Sequence, residues 1–304
     1  MIKLSVVIVA YRSEATIEAC VSSLPADAEI IVVENQAEGS VLPNLRGVVL
    51  VRMPANEGFG IACNSGLDLA GGEFALVLNP DAWANAINDV HRLTQFLDDA
   101  PTAICVGGRL RLPDGSVQLS CARELTLGAV FLEQTLLEKV VKGYWIETAS
   151  ATEPLKVPQV TGACFAMKRV NGQFLRFDPR FFLYCEDSEL MNRIANYGDI
   201  YHLPSAEFHH ALGASSEQNR WWAVACYNRG KELYFEIHHG GFQSKVCFAL
   251  NRLGALLRLL IWSVATIVTL GLVGRFRKQV ATFARVLFAP FNPYARAPWS
   301  RSKP

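Results

Sequence analysis

Four short stretches of the chain hold the residue types that do chemistry. Asn79-Pro80-Asp81-Ala82 offers a carboxylate behind an apolar run. Asp81 suits a hard divalent cation, which takes oxygen ligands and keeps positions open for phosphate, although Asn, Pro and Asp are also plain turn formers. Phe181-Phe182-Leu183-Tyr184-Cys185-Glu186-Asp187 delivers two adjacent acids to the start of a helix. An apolar wall raises a carboxylate's proton affinity, as a general base requires; acids in a first helical turn are also simply stabilised by the helix dipole, by ~0.3–1 kcal/mol. Asn56-Glu57-Gly58-Phe59-Gly60 through Asn64-Ser65-Gly66 combines a helix start with glycines that permit close backbone approach, to a ligand or to a neighbouring element. His209-His210, followed by Gly213-Ala214-Ser215-Ser216, reads as a ligand pair or as a loop.

The elements that must position these groups follow from the apolar pattern. Short β-branched runs recur at Leu4 to Ala10, Ile30 to Val33, Val48 to Val51, Phe74 to Leu78 and Ile104 to Val106. Being apolar throughout, they read as strands covered by helices on both faces. Helices are predicted at Glu14 to Leu24 with Ser13 as N-cap, at about Gly58 to Ala70 and at Asn85 to Leu97. This order implies a mostly parallel α/β sheet. Ligands bind at the carboxyl ends of such strands, where Tyr11, Glu34, Asn56 and Asp81 fall.

Further on, Pro113-Asp114-Gly115-Ser116 marks a hairpin turn, and Cys121 to Pro158 shows no clear period. A strand over Val157 to Met167, a helix over Asp187 to Tyr197 stopped by Gly198, and a long helix over Trp221 to His238 complete the pattern.

With 304 residues, 51% of them hydrophobic, the chain is long enough for one large α/β domain and an appendage, and too apolar to be disordered. Its net charge of +1 conceals a division, because ten bases and no acid follow Glu236. The 8 cysteines are scattered singly without zinc spacing, which favours a reducing compartment. The apolar N-terminal run ends at Tyr11-Arg12 without a cleavage site and reads as a buried strand rather than a signal peptide.

Taken together and in order, Ser5-Val6-Val7-Ile8-Val9-Ala10-Tyr11, Ile31-Val32-Val33-Glu34-Asn35, the Asn56 to Gly66 motif, Leu78-Asn79-Pro80-Asp81, Val160-Thr161-Gly162-Ala163-Cys164, Tyr184-Cys185-Glu186-Asp187 and His210-Ala211-Leu212-Gly213 resemble the inverting family-2 glycosyltransferases, most of all their bacterial rhamnosyltransferase-like members. The resemblance covers about residues 3 to 240. It implies a GT-A type, Rossmann-like domain that binds a nucleotide-diphosphate sugar. Tyr11 and Glu34 then line the nucleoside, and Asn56, Gly58 and Asn64 belong to the motif that closes over the nucleotide. Asp81 ends the metal signature for Mg²⁺ or Mn²⁺, with His210 (or His209) nearby. Asp187 matches the base that deprotonates an acceptor hydroxyl, with Glu186 as alternate. Asn79 and Arg109 are expected near the diphosphate.

Three departures accompany the resemblance. Glu34 stands where relatives carry Asp, and Asn79 replaces the first acid of an Asp-x-Asp signature. Glu217-Gln218-Asn219-Arg220-Trp221 nearly matches the Gln-x-x-Arg-Trp box of processive synthases, but begins with Glu. Other donors (galactofuranose, N-acetylglucosamine) and a non-catalytic nucleotide-sugar-binding scaffold are the competing readings. A nucleotidyltransferase is disfavoured because Ala10-Tyr11-Arg12-Ser13 is no Gly-rich phosphate loop.

Residues 1–240 are thus expected to be catalytic and 241–304 to form a basic, apolar helical tail. Leu259 to Val273 is about fifteen uncharged residues, short of the ~18 of a default span. The expectation is a membrane-surface or shallowly inserted attachment to an anionic leaflet on the cytoplasmic side, rather than a true span, with Leu259 to Val273 burying apolar area and Arg275, Arg277 and Lys278 facing headgroups. The expected partners are the nucleotide sugar and a glycan acceptor, lipid-linked, with no nucleic acid.

Overall fold

The computed structural model describes residues 3–36, 45, 47–141, 143–211 and 219–296. Residues 212–218, including Gly213 and the Glu217-Gln218 half of the synthase-like box, lie outside the described residues, as do Arg301 and Lys303. The chain divides into two compact units. A sheet unit comprises Met1–Glu124, Trp145–Phe182 and Glu186–Gly213, and a helical unit comprises Leu125–Tyr144, Leu183–Cys185 and Ala214–Pro304.

The sheet unit is built on β1 (Leu4–Ala10), β2 (Glu29–Glu34), β3 (Val48–Arg52), β4 (Phe74–Leu78), β5 (Ala82–Ala84) and β6 (Ala103–Arg111). The remaining strands are β7 (Cys121–Ala122), β8 (Trp145–Ile146), β9 (Leu155–Lys156), β10 (Gln159–Val160), β11 (Cys164–Lys168) and β12 (Asp199–His210). The large sheet runs β3-β2-β1-β4-β11-β6-β12-β5, with β9 paired to β12. The strands β3, β2, β1, β4, β6 and β12 point one way, while β11, β5 and β9 oppose them. The expected mostly parallel sheet is therefore present, with one antiparallel strand inserted at its centre. A small second sheet orders β10-β7-β8.

Alternation along the central strand divides the core. Leu4, Val6, Ile8 and Ala10 pack with Ile17 and Cys20 of α1 (Ile17–Ser22) and with Leu93 and Leu97 of α3 (Ile87–Asp99). On the other face, Val7 and Val9 pack with Ala62 and Cys63 of α2 (Phe59–Leu67) and with Leu190 and Met191 of α5 (Glu186–Ile194). Gly66 lets α2 lie against β1, since a Cβ there would come 2.5 Å from Val7 Cγ1.

Two local expectations are corrected. Helix α1 is shorter than Glu14 to Leu24, and Ser13 does not cap it through its side chain. The Ser13 carbonyl accepts from Thr16 and Ile17 N–H at 3.0 Å, while its hydroxyl turns back to Tyr11. The strand predicted over Val157 to Met167 is broken between β10 and β11, because the Thr161 and Gly162 amides bond elsewhere, to Ser120 O and to Asp187.

The helical unit contains α4 (Leu127–Gln134), α6 (Arg220–His239), α7 (Gly241–Val268) and α8 (Gly274–Leu287). Lys231 of α6 is fully buried, pairs with Glu133 at 2.7 Å and lies over the Tyr227 ring. Arg258 of α7 donates to the Glu133 and Gln134 carbonyls at 2.8 and 3.0 Å, and Gly254 leaves no room for a Cβ beside Gln134. Arg252 donates to the Val286 and Ala289 carbonyls at the end of α8. The uncharged stretch Leu259 to Val273 is not one helix: α7 stops at Val268, and Leu270 and Gly271, both at positive φ, turn the chain into α8. No disulfide forms among the described residues, and all eight cysteines are buried.

Candidate active site

Because β1, β2 and β4 run parallel, their carboxyl ends present Tyr11, Glu34 and Asn79 along one edge of the sheet. Glu34 is buried at the end of β2, and its carboxylate accepts from Arg52 Nε of β3 at 2.9 Å. Arg12 lies over the half-buried Tyr11 ring. The next residue after Glu34 organises the glycine motif. Asn35 Nδ2 donates to Asn56 Oδ1 at 3.2 Å and to Gly58 O at 3.1 Å, while its Oδ1 accepts from Glu57 N–H. Gly58 adopts φ +93, and a Cβ there would stand 2.4 Å from Phe182 O, the same carbonyl that accepts the first amide of α2 from Phe59. Here the positive φ and the close approach both require glycine.

Asn64, one turn further, is spent on structure: its amide makes a reciprocal pair with the Phe177 backbone, both bonds at 2.9 Å and buried. It ties the 177 loop to α2.

The antiparallel insertion of β11 sets Cys164 opposite Leu78. That register joins two parts of the site through one dipeptide: Ala163 O accepts from Asn79 N–H at 2.9 Å, and Gly162 N–H donates to Asp187 Oδ2 at 2.8 Å. Asp187 Oδ1 also accepts from Ser188 N–H at 2.8 Å. Burial raises the Asp187 pKa, and the two amides oppose that rise. Glu186 is buried with Oε2 unpartnered. Burial, and then the charge of Asp187, push its pKa up to about 8. Glu186 therefore keeps its proton at neutral pH.

At the end of β4, Asp81 Oδ1 stands 3.2 Å from His210 Nε2, brought there because β12 pairs β5 with His210 opposite Ala82. His210 Nδ1 lies 2.8 Å from Gln118 Oε1, so Nδ1 carries the proton and Nε2 faces Asp81. Asn79 Nδ2 is 3.4 Å from the same nitrogen. A divalent cation could take both Asp81 and Nε2 as ligands. One carboxylate and one oriented imidazole, with other positions left to phosphate and water, fit Mg²⁺ or Mn²⁺. Among the described residues no group of three or more His, Cys, Asp or Glu side chains is arranged to hold a metal. His209 points to the other face of the strand, stacked on Trp83 and 3.2 Å from Asn85 Oδ1. Arg109 of β6 donates to Ala151 O, and its charge, after burial, lowers the pKa of the enclosed His202 to about 4.

Asn35, Gln118 and Gly162 were not singled out by type. Asn35 and Gly162 sit inside the quoted motifs, and only their sequence adjacency signals them; nothing in the sequence points to Gln118.

A relative from Mycobacterium tuberculosis, N-acetylglucosaminyl-diphospho-decaprenol L-rhamnosyltransferase, is 28% identical over 79% of this chain and 86% of its own. Among solved structures, GalNAc-T7 with UDP, GalNAc and Mn²⁺ superposes with a TM-score of 0.56 at 18% identity, covering 94% of this chain; the match spans 56% of that protein's length. Staphylococcus aureus TarS with UDP gives a TM-score of 0.50 at 15% identity over 95% of this chain and 82% of its own. These likenesses show the GT-A fold. Residues 5–170 match the profile of glycosyl transferase family 2, more than half of the chain, and the chain belongs to that family.

Proposed function

We propose that the protein transfers L-rhamnose from a nucleotide-diphosphate donor to a hydroxyl of a lipid-linked glycan, with inversion, in cell-envelope polysaccharide assembly at the cytoplasmic face of the membrane. The observation that carries this reading is the pair of the buried Glu186 and the half-buried Asp187, bonded through Gly162 to the loop next to Asn79 and Asp81. The Mycobacterium tuberculosis relative supports the sugar and the class of acceptor.

Asp187 takes the acceptor proton as the acceptor oxygen forms its bond to the anomeric carbon. The bond from that carbon to the diphosphate breaks on the opposite face, and the diphosphate leaves with the electron pair. A bound Mg²⁺ or Mn²⁺ supplies charge neutralisation for this leaving group, and Asp81 with His210 would hold it. Tyr11 and Glu34 bound the nucleoside, Glu34 held in place by Arg52. Asn56 and Gly58 form the loop over the nucleotide, and Asn64 acts through the Phe177 segment it fixes. Asn79 and Arg109 meet the diphosphate. Residues 1–240 carry the chemistry and 241–304 the attachment to the membrane surface.

Mass spectrometry of the intact protein with a panel of nucleotide sugars tests the donor: the rhamnose conjugate should be retained above the others. Asp187→Asn should lower turnover on the order of a hundredfold or more while leaving donor affinity nearly unchanged. A variant keeping a tenth of wild-type turnover would overturn the base assignment.

A further inference from the structure

Two turns of the helical unit leave apolar side chains in solvent. After α4, Leu136 enters the left-handed region, a short 3-10 turn follows over Leu137–Lys139, and Val140 and Val141 are 83% and 51% exposed. In α7, Leu253, Leu256, Leu260, Val264 and Ile267 are exposed at spacings of three and four, which puts them on one face. The hairpin beyond bares Leu270 and Leu272, 85% and 84% exposed. The two regions share an origin, since Arg258 of α7 is bonded to the last carbonyls of α4.

Charge says what covers them. Arg275, Arg277 and Lys278 are exposed just past the hairpin, Lys139 is exposed in the other turn, and no acid follows Glu236. The one acid of the first turn, Glu138, is half-buried, and burial with the charge of Glu133 raises its pKa. A second copy of this surface would set base against base, whereas an anionic leaflet attracts each base by ~1 kcal/mol. Length then sets the depth. The helix is long and apolar enough by composition to be a candidate span. Its longest uncharged run, however, is residues 259–268, which rise ~15 Å against a hydrocarbon core of ~30 Å. Arg258, tied to α4, closes that segment on the protein side.

We propose that the 136–141 turn and the α7–α8 hairpin are two feet of one lipid-binding surface that enters a single leaflet of an anionic bilayer, the hairpin tip deepest. This rests on the membrane-surface part of the reading above and adds a second element and a depth to it.

Vesicle sedimentation of the full chain tests it, with phosphatidylcholine vesicles with and without phosphatidylglycerol. Wild type should partition to the anionic vesicles and leave them in alkaline carbonate. Val140→Ser with Val141→Ser, and separately Leu270→Ser with Leu272→Ser, should each lower partition by at least about tenfold, with thermal melting unchanged because all four residues are exposed. Unchanged partition in the first pair would remove the 136–141 turn from the surface, and unchanged partition in the second would remove the hairpin. Retention through carbonate would overturn the one-leaflet depth. A stable dimer by light scattering that the same serines dissolve would replace the lipid with a second copy. Transfer to a water-soluble acceptor should survive in both variants; its absence in wild type would count against the transferase reading and leave the partition result standing.

Discussion

Glu186 and Asp187 share a peptide bond and differ in their hydrogen-bond partners. Asp187 is met by two amides, whereas Glu186 Oε2 has no partner in a buried site. Folding raises both pKa values, so the native chain keeps protons that the unfolded chain releases. The contribution to stability must therefore fall as pH rises from the ordinary carboxylate range near ~4.3 towards about 8, the value reached by Glu186. Glu186→Gln should remove much of that slope, so its denaturant midpoint should exceed the wild-type value at pH 8 and approach it at pH 5. A wild type that gains stability relative to the variant over that range would contradict the assignment. The Asp81-His210 pair gives a second expectation at this scale. Chelation should stop turnover and Mg²⁺ or Mn²⁺ restore it, with Asp81→Asn losing the response. Gln118→Ala, which frees the His210 tautomer, should raise the metal concentration needed for half-activation by about ten- to a hundredfold. At the level of residue types the candidates were legible in the sequence: the acid pair after the aromatic run and the acid after Pro80 stand out. Partners were not, because Asn35 reaching Gly58 and Gln118 reaching His210 depend on which strands become neighbours.

Strands were the most legible elements, since each is an apolar run between turn formers, and β1 and β4 keep the predicted ends. The insertion of β11 between β4 and β6 was not legible, because an antiparallel strand buried on both faces has the same composition as a parallel one. The segment after Cys121 also escaped. Its helix α4 is held by Lys231 and Arg258 from far along the chain rather than by a period of its own. The turn into α2 is where one substitution tests an element as a whole. Gly58→Ala meets both an unfavourable φ and the Phe182 carbonyl, so it should destabilise the protein by about 1–3 kcal/mol. Nucleotide affinity should fall with it, and Gly115→Ala, at a positive φ with nothing within 4 Å, gives the control for backbone strain alone. Equal melting temperatures for the two variants would show that the Phe182 approach is not tight in solution.

For the whole molecule, the uneven distribution of charge was visible without coordinates, and it survives folding as exposed bases beside exposed leucines. What the sequence concealed is that the long uncharged stretch bends at Leu270-Gly271, since neither residue interrupts its hydropathy. Raising the salt from 0.1 to 1 M shortens the screening length from ~10 to ~3 Å, so vesicle binding should weaken steeply with salt, and insensitivity would count against the role of the bases. The eight enclosed cysteines have a consequence of another kind. Burial pushes the Cys121, Cys164 and Cys247 thiols up to about 12, and a thiol must be ionised and reachable to be alkylated. Intact protein at pH 8 should therefore ignore iodoacetamide until it opens. Cys20, Cys63, Cys105, Cys121 and Cys164 lie in the sheet unit, and Cys185, Cys226 and Cys247 in the helical one. If each unit opens cooperatively, adducts should appear in blocks of five and three rather than one at a time. The mass of a partly labelled chain would then be a stopwatch that reads which half of the protein opened first.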